Sequence, residues 1–64
     1  MGLKLKIRRI ERGFKQGELA LELGISRYYL SALERGKAKN PSVELMKKIS
    51  KVLQVPVQEL FFED

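Results

Sequence analysis

Glycine and proline cut this chain into pieces of helical length, and that punctuation limits what it can become. Gly13, Gly24, Gly36, Pro41 and Pro56 are spaced through 64 residues. Glycine ends helices because it accepts a left-handed backbone, and proline interrupts them because it lacks the N–H that a helix interior needs. None of the intervening segments alternates apolar and polar residues as a half-buried strand does. The sequence therefore predicts an all-α chain of five short helices, one domain over residues 1–64, with no linker, repeat or low-complexity stretch.

Such a chain has to be held by packing. It contains no cysteine and no histidine. No disulfide or thiolate metal site is available, and a zinc site would have to rest on carboxylates alone, so no metal is expected. The commonest general base is missing and no carboxylate pair converges, which argues against an enzyme and against a catalytic cofactor. A chain of this size buries ~60% of its unfolded surface, and with 44% hydrophobic residues it has the means to do so. No apolar run reaches the ~18 residues of a membrane span and no leader pattern is present. The expected compartment is the cytoplasm.

The first predicted helix, about Leu3 to Arg12, puts Leu3, Ile7 and Ile10 on one stripe, with Leu5 and Arg9 opposite. Its contacts are therefore open to either face. The second, Gln16 to Leu23, groups Leu19, Ala20 and Leu23. Gly24 stops it, Ile25 bridges, and Ser26 is a good N-cap for a third helix, Arg27 to about Arg35. Helix, short glycine-containing turn, helix is the helix-turn-helix pattern. In the third helix Leu30 and Leu33 face inward, whereas Tyr28, Ser31, Ala32 and Arg35 face outward with Arg27 and Tyr29 on the flanks. That outer face carries no acid. Glu34 falls beside the buried stripe and needs a partner there. After a polar loop, Lys37 to Asn40, Ser42 caps a fourth helix whose Leu45, Met46, Ile49, Val52 and Leu53 form the most regular apolar stripe. Its Lys47, Lys48 and Lys51 read as a solvated face. Pro56 opens a last short helix with Val57, Leu60 and Phe61 for packing. Phe62 cannot share their face, and is either partly exposed or part of a subunit contact.

Charge divides unevenly. Residues 1–40 hold ten Lys/Arg against four Asp/Glu, and residues 41–64 hold three against four. A basic region confined to one part of a small domain attracts polyanions such as nucleic acid or anionic lipid. The positive residues do not lie opposite one continuous apolar stripe, which disfavours a membrane surface.

The run Arg9-Ile10-Glu11-Arg12-Gly13-Phe14-Lys15-Gln16, then Glu18-Leu19-Ala20, Leu23-Gly24-Ile25-Ser26, Leu30, Leu33-Glu34-Arg35-Gly36, Asn40-Pro41-Ser42 and Glu59-Leu60-Phe61 resembles the Cro/repressor-type (XRE) helix-turn-helix family. The resemblance covers nearly the whole chain. It implies a compact five-helix lambda-repressor-like DNA-binding domain with the helix-turn-helix at helices 2 and 3, the third helix lying in the major groove. It further implies base contacts from Arg27, Tyr28 and Ser31 or Ala32. Phosphate contacts fall to Gln16, Lys37, Lys39 and Asn40, with Lys15 and Arg35 as further candidates. It pairs Arg9 with Glu34, which supplies the partner that the helical wheel requires.

Four positions depart from the family pattern. Lys15 replaces a Ser/Thr cap, Arg8 stands where a small or apolar residue is common, Gln54 replaces a glycine, and Pro56 replaces a Ser/Thr cap. Pro56 is placed in the first turn of helix 5. The function implied is a sequence-specific regulator of transcription, a repressor, binding a near-palindromic double-stranded DNA site as a homodimer. The dimer contact is expected around Leu60, Phe61 and Phe62, and no small-molecule effector is evident. The alternative is an antitoxin or protein-interaction module on the same fold.

Overall fold

The computed structural model describes residues 2–38 and 41–62, and the side chains of residues 4–38 and 41–62. Five helices follow in order: α1 (Gly2–Glu11), α2 (Gln16–Leu23), α3 (Arg27–Glu34), α4 (Val43–Leu53) and α5 (Val57–Phe61). No strand occurs among the described residues. Helix α1 packs on α3 and α5, α2 on α3 and α4, and α4 on α5. Every helix sends residues to one core: Leu5, Leu19, Ala20, Leu23, Leu30, Leu33, Ile49, Leu53, Leu60 and Phe61.

The buried face of α1 is the opposite of the apolar stripe. Ile7 and Ile10 are 44% and 56% exposed, while Leu5 and Arg9 are buried. The side chain of Leu3 lies outside the described residues. Leu5 and Arg9 are four apart and so share a face, and the carboxylate that Arg9 requires lies on α3. Meeting that partner turns the Leu5–Arg9 face inward. Arg8 is half-exposed and its guanidinium donates to Glu11 on its own helix and to Glu59 on α5.

At the C-terminal end the packing assignment of Leu60 and Phe61 agrees with the structure, and the surface left for a dimer contact is narrower than expected. Leu60 and Phe61 are 0% and 6% exposed. Their side chains belong to the core and have no apolar surface to offer a second subunit. Phe62, at 67% exposed, does. Helix α5 also begins one residue later than expected, since Pro56 sits at its N-cap with ψ 141° rather than in its first turn. Its carbonyl accepts from the N–H groups of Glu59 and Leu60.

The corner between α4 and α5 is tightly bonded. Gln54 ends α4 in the left-handed region with φ 57°, the one described non-glycine residue at positive φ. Two bonds from the residue that follows α1 help to hold it: Arg12 Nε donates to the Leu53 carbonyl at 2.8 Å and Arg12 Nη2 donates to Gln54 Oε1 at 2.7 Å. The Ser50 hydroxyl donates to the Val55 carbonyl at 2.6 Å. Ser42 caps the other end of α4, its Oγ accepting from the Leu45 N–H at 3.0 Å.

The buried polar groups centre on Arg9 and Glu34, 8% and 5% exposed. Arg9 Nε donates to Glu34 Oε2 at 2.6 Å and Arg9 Nη2 donates to Oε1 at 3.1 Å, a two-pronged pair. Arg9 Nη1 donates to the Phe14 carbonyl at 2.8 Å, and Gln16 Nε2 donates to Glu34 Oε1 at 3.2 Å. One cluster thus ties α1, the α1–α2 loop, the first residue of α2 and the last of α3. Removing one partner of a buried pair leaves an uncompensated charge and costs ~3–5 kcal/mol. Glu34→Ala should lower the unfolding free energy by about that amount, whereas the exposed Glu22→Ala should change it by under ~0.5 kcal/mol. Urea melts of the two variants check this, and equal midpoints would refute it.

Candidate nucleic-acid interface

Helices α2 and α3 meet through a turn built from local sequence. Lys15 precedes α2 with an extended backbone and has no side-chain oxygen to offer. Its own N–H is instead received by Glu18 Oε1 at 2.8 Å. At the other end Gly24 adopts φ 71°, which a side chain would oppose, and its N–H turns back to Ala20 and Leu21. The Ile25 N–H bonds the Ala20 carbonyl at 3.0 Å. Ser26 then caps α3, its Oγ accepting from the Tyr29 N–H at 3.0 Å. These bonds close α2, redirect the chain and open α3 within three residues.

Helix α3 has two distinct faces. Leu30, Leu33 and Glu34 are buried, and Tyr29 packs partly against the core. Tyr28 is 90% exposed and Arg27 and Arg35 are exposed beside it, while Ser31 and Ala32 are half-buried. The stem of Arg27 runs alongside α2: a Cβ at Gly17 would lie 3.7 Å from Arg27 Cδ. Lys15 and Lys37 are exposed and Gln16 is half-buried at the start of α2. Lys39 and Asn40 lie outside the described residues.

The electrostatic consequence follows from one burial. Glu34 is the single acid between Ile25 and Ala38, and it is inside, neutralised by Arg9. The exposed charges of α3 and the residues after it, Arg27, Arg35 and Lys37, are therefore all positive. An α-helix with side chains is ~10–12 Å across and the major groove of B-DNA is ~12 Å wide. Short, capped and positive outside, α3 fits that groove.

One contact escapes a reading of periodicity. Lys48 on α4 donates from Nζ to the Leu23 carbonyl at 3.2 Å. Its sequence neighbours Lys47 and Lys51 are simply exposed, and nothing local to α4 distinguishes Lys48 from them. The signal lies in α2, whose terminal carbonyls want a cation.

The model of the helix-turn-helix family matches residues 5–60. The chain belongs to that family. It is 43% identical over 61 residues to the HTH-type transcriptional regulator SlrR of Bacillus subtilis, an alignment covering 95% of this chain and 40% of SlrR. It is 40% identical over 63 residues to the HTH-type transcriptional regulator SinR of the same organism, covering 98% of this chain and 57% of SinR. The chain thus spans about half the length of these relatives. Among solved structures, the crystal structure of SinR, the master regulator for biofilm formation, in complex with DNA superimposes with a TM-score of 0.87 at 39% identity, covering 95% of this chain and all of that one. The five-helix architecture with α2–turn–α3 as helix-turn-helix is the family's fold.

No group of three or more acids among the described residues could hold a metal ion, and no helix among them is long and apolar enough to cross a membrane. The cap of α3 is open to a direct test. Ser26→Ala should cost ~1 kcal/mol of stability and Ser26→Gly only a few tenths. Denaturant melts of the pair distinguish loss of the Tyr29 N–H partner from any general effect of the turn; equal losses would argue against the cap.

Proposed function

We propose that this chain is a sequence-specific, double-stranded DNA-binding regulator of transcription, acting as a repressor by occupying its site, in the cytoplasm and without cofactor or chemical step. Residues 1–64 act as one domain. The observation that carries the reading is the outer face of α3, where Arg27, Tyr28 and Arg35 stand exposed while the helix's one acid is buried. The kinship with SinR and SlrR, both named transcriptional regulators, supports it, as does the likeness to SinR in complex with DNA.

Residue roles follow from position. Arg27 and Tyr28, at the exposed start of α3, read base edges, with Ser31 and Ala32 one turn further along the same helix. Lys15, Gln16, Arg35, Lys37, Lys39 and Asn40 clamp phosphates. A single recognition helix spans too few base pairs for useful discrimination, so two copies bind a near-palindromic operator with half-site centres about 34 Å apart. Phe62 is the apolar contact left for the second copy once Leu60 and Phe61 are spent in the core.

Base and phosphate contacts separate by experiment, because phosphate contacts carry affinity and salt dependence while base contacts carry discrimination. Lys37→Ala should weaken binding to every sequence and flatten the salt slope by about one. Arg27→Ala should relax the preference at one base pair per half-site by ~1–3 kcal/mol, with guanine the target of a two-pronged guanidinium. Titration of each variant against an operator and its single-base changes, at several salt concentrations, decides between the roles; an even loss across the panel for Arg27→Ala would make it a phosphate clamp. Sedimentation on the best operator tests assembly: two chains per site are expected, and one chain would refute the dimer.

A further inference from the structure

We infer that Lys48, on the helix that follows the recognition helix in sequence, is a positioning residue for DNA recognition: its ammonium helps to close the C-terminus of α2 and so to set the turn from which α3 departs. The inference rests on the DNA-binding reading above.

The last turn of a helix leaves carbonyls without partners inside the helix. In α2 the Ala20 and Leu21 carbonyls are met by the N–H groups of Gly24 and Ile25 as the chain reverses. The Leu23 carbonyl, at the very end, is met by Lys48 Nζ at 3.2 Å. The same ammonium lies beside the turn glycine, 3.8 Å from where a Cβ on Gly24 would be. A cation there is favoured twice, by the hydrogen bond and by the negative end of the α2 dipole.

The placement matters because of how α3 is held. Its packing partners are α1 and α2, whereas α4 packs on α2 and α5. One route from α4 to the recognition helix therefore runs through α2 and its turn, beside the longer one through α5 and α1. Ile25 and Tyr29 on the α3 side, and Leu45 and Lys48 on α4, line one cleft of about 300 Å³ beside that turn. Lys48 bridges the cleft from α4 to the Leu23 carbonyl. Between that carbonyl and the Ser26 cap stand only Gly24 and Ile25, and Gly24 is the residue with the widest backbone freedom. Holding the carbonyl adds to the bonds of Gly24, Ile25 and Ser26 that set the turn from which α3 departs.

A small group of variants tests this in the intact chain. Lys48→Met removes the ammonium and keeps an unbranched stem, Lys48→Arg keeps a donor, and Lys47→Met removes the same charge from an exposed neighbour. Operator affinity, its salt slope and amide hydrogen exchange at Gly24 and Ile25 are measured for each. Lys48→Met should bind more weakly than Lys47→Met, by up to about fivefold, the full stabilising effect of a cation at a helix C-terminus setting the upper limit. Its salt slope should match that of Lys47→Met and its turn amides should exchange faster, while Lys48→Arg restores both. Equal affinities for the two methionine variants would overturn the inference. So would a salt slope lower by about one for Lys48→Met alone, which would make Lys48 a phosphate ligand. A wild-type chain that bound no DNA while Lys48→Met still speeded exchange would overturn the DNA-binding reading and leave the clamp in place.

Discussion

The two-pronged bond between Arg9 and Glu34 is the constraint on which the rest of the arrangement depends. Withdrawing two charges from water is costly, and attraction between them offsets the cost only when the geometry is good and the remaining donors and acceptors are satisfied. Here they are: the Phe14 carbonyl takes a further Arg9 donor, and Gln16 gives Glu34 another hydrogen bond. No buried side-chain polar atom among the described residues lacks a partner. The pair also explains how an eight-residue helix can be held rigidly in place. A helix that short is marginal by itself. Helix α3 is secured at its start by Ser26, along one side by Leu30 and Leu33, and at its last residue by Arg9. Burying Glu34 does a second thing, since it clears negative charge from the surface that must approach a polyanion.

A comparable economy governs the α4–α5 corner. A left-handed residue with a side chain is disfavoured by roughly 1–2 kcal/mol relative to the right-handed form, and Gln54 occupies that region. What a glycine would give by its freedom, this chain supplies by bonds, with Arg12 engaging both the backbone of Leu53 and the side chain of Gln54. The side chain that makes the backbone unfavourable is the one that Arg12 holds.

What could be read from the sequence was whatever is decided within one or two turns of chain. The bounds of α2, the caps at Ser26 and Ser42, the inward stripe of Leu30 and Leu33 and the apolar seam of α4 all depend on neighbours three or four residues away. The kinship with a known family added the partner of Glu34. The losses share a cause of the opposite kind. The buried face of α1 was decided by a carboxylate 25 positions away on α3, against a stripe of Ile7 and Ile10 that looked more apolar. Leu60 and Phe61 were read both as packing residues and as part of a dimer contact, because a five-residue helix gives too little periodicity to tell how much of each side chain the core will claim. Lys48 looked like its neighbours because its acceptor is a backbone carbonyl, and a carbonyl leaves no mark in a sequence.

The division of α3 into an inner and an outer face has a consequence for how such a protein can change. Stability resides in Leu30, Leu33 and Glu34, and the side chains that project outward, Arg27, Tyr28 and Arg35, contribute little to the core. Substitutions at exposed positions away from caps and buried pairs shift folding free energy by no more than ~0.5 kcal/mol. Mutation can therefore explore the outer face almost without penalty to the scaffold, and a duplicated copy could acquire a different target through two or three changes while remaining equally well folded. Gly17 widens that latitude, because a methyl group there would meet the stem of Arg27 at ordinary contact distance and leave it in place.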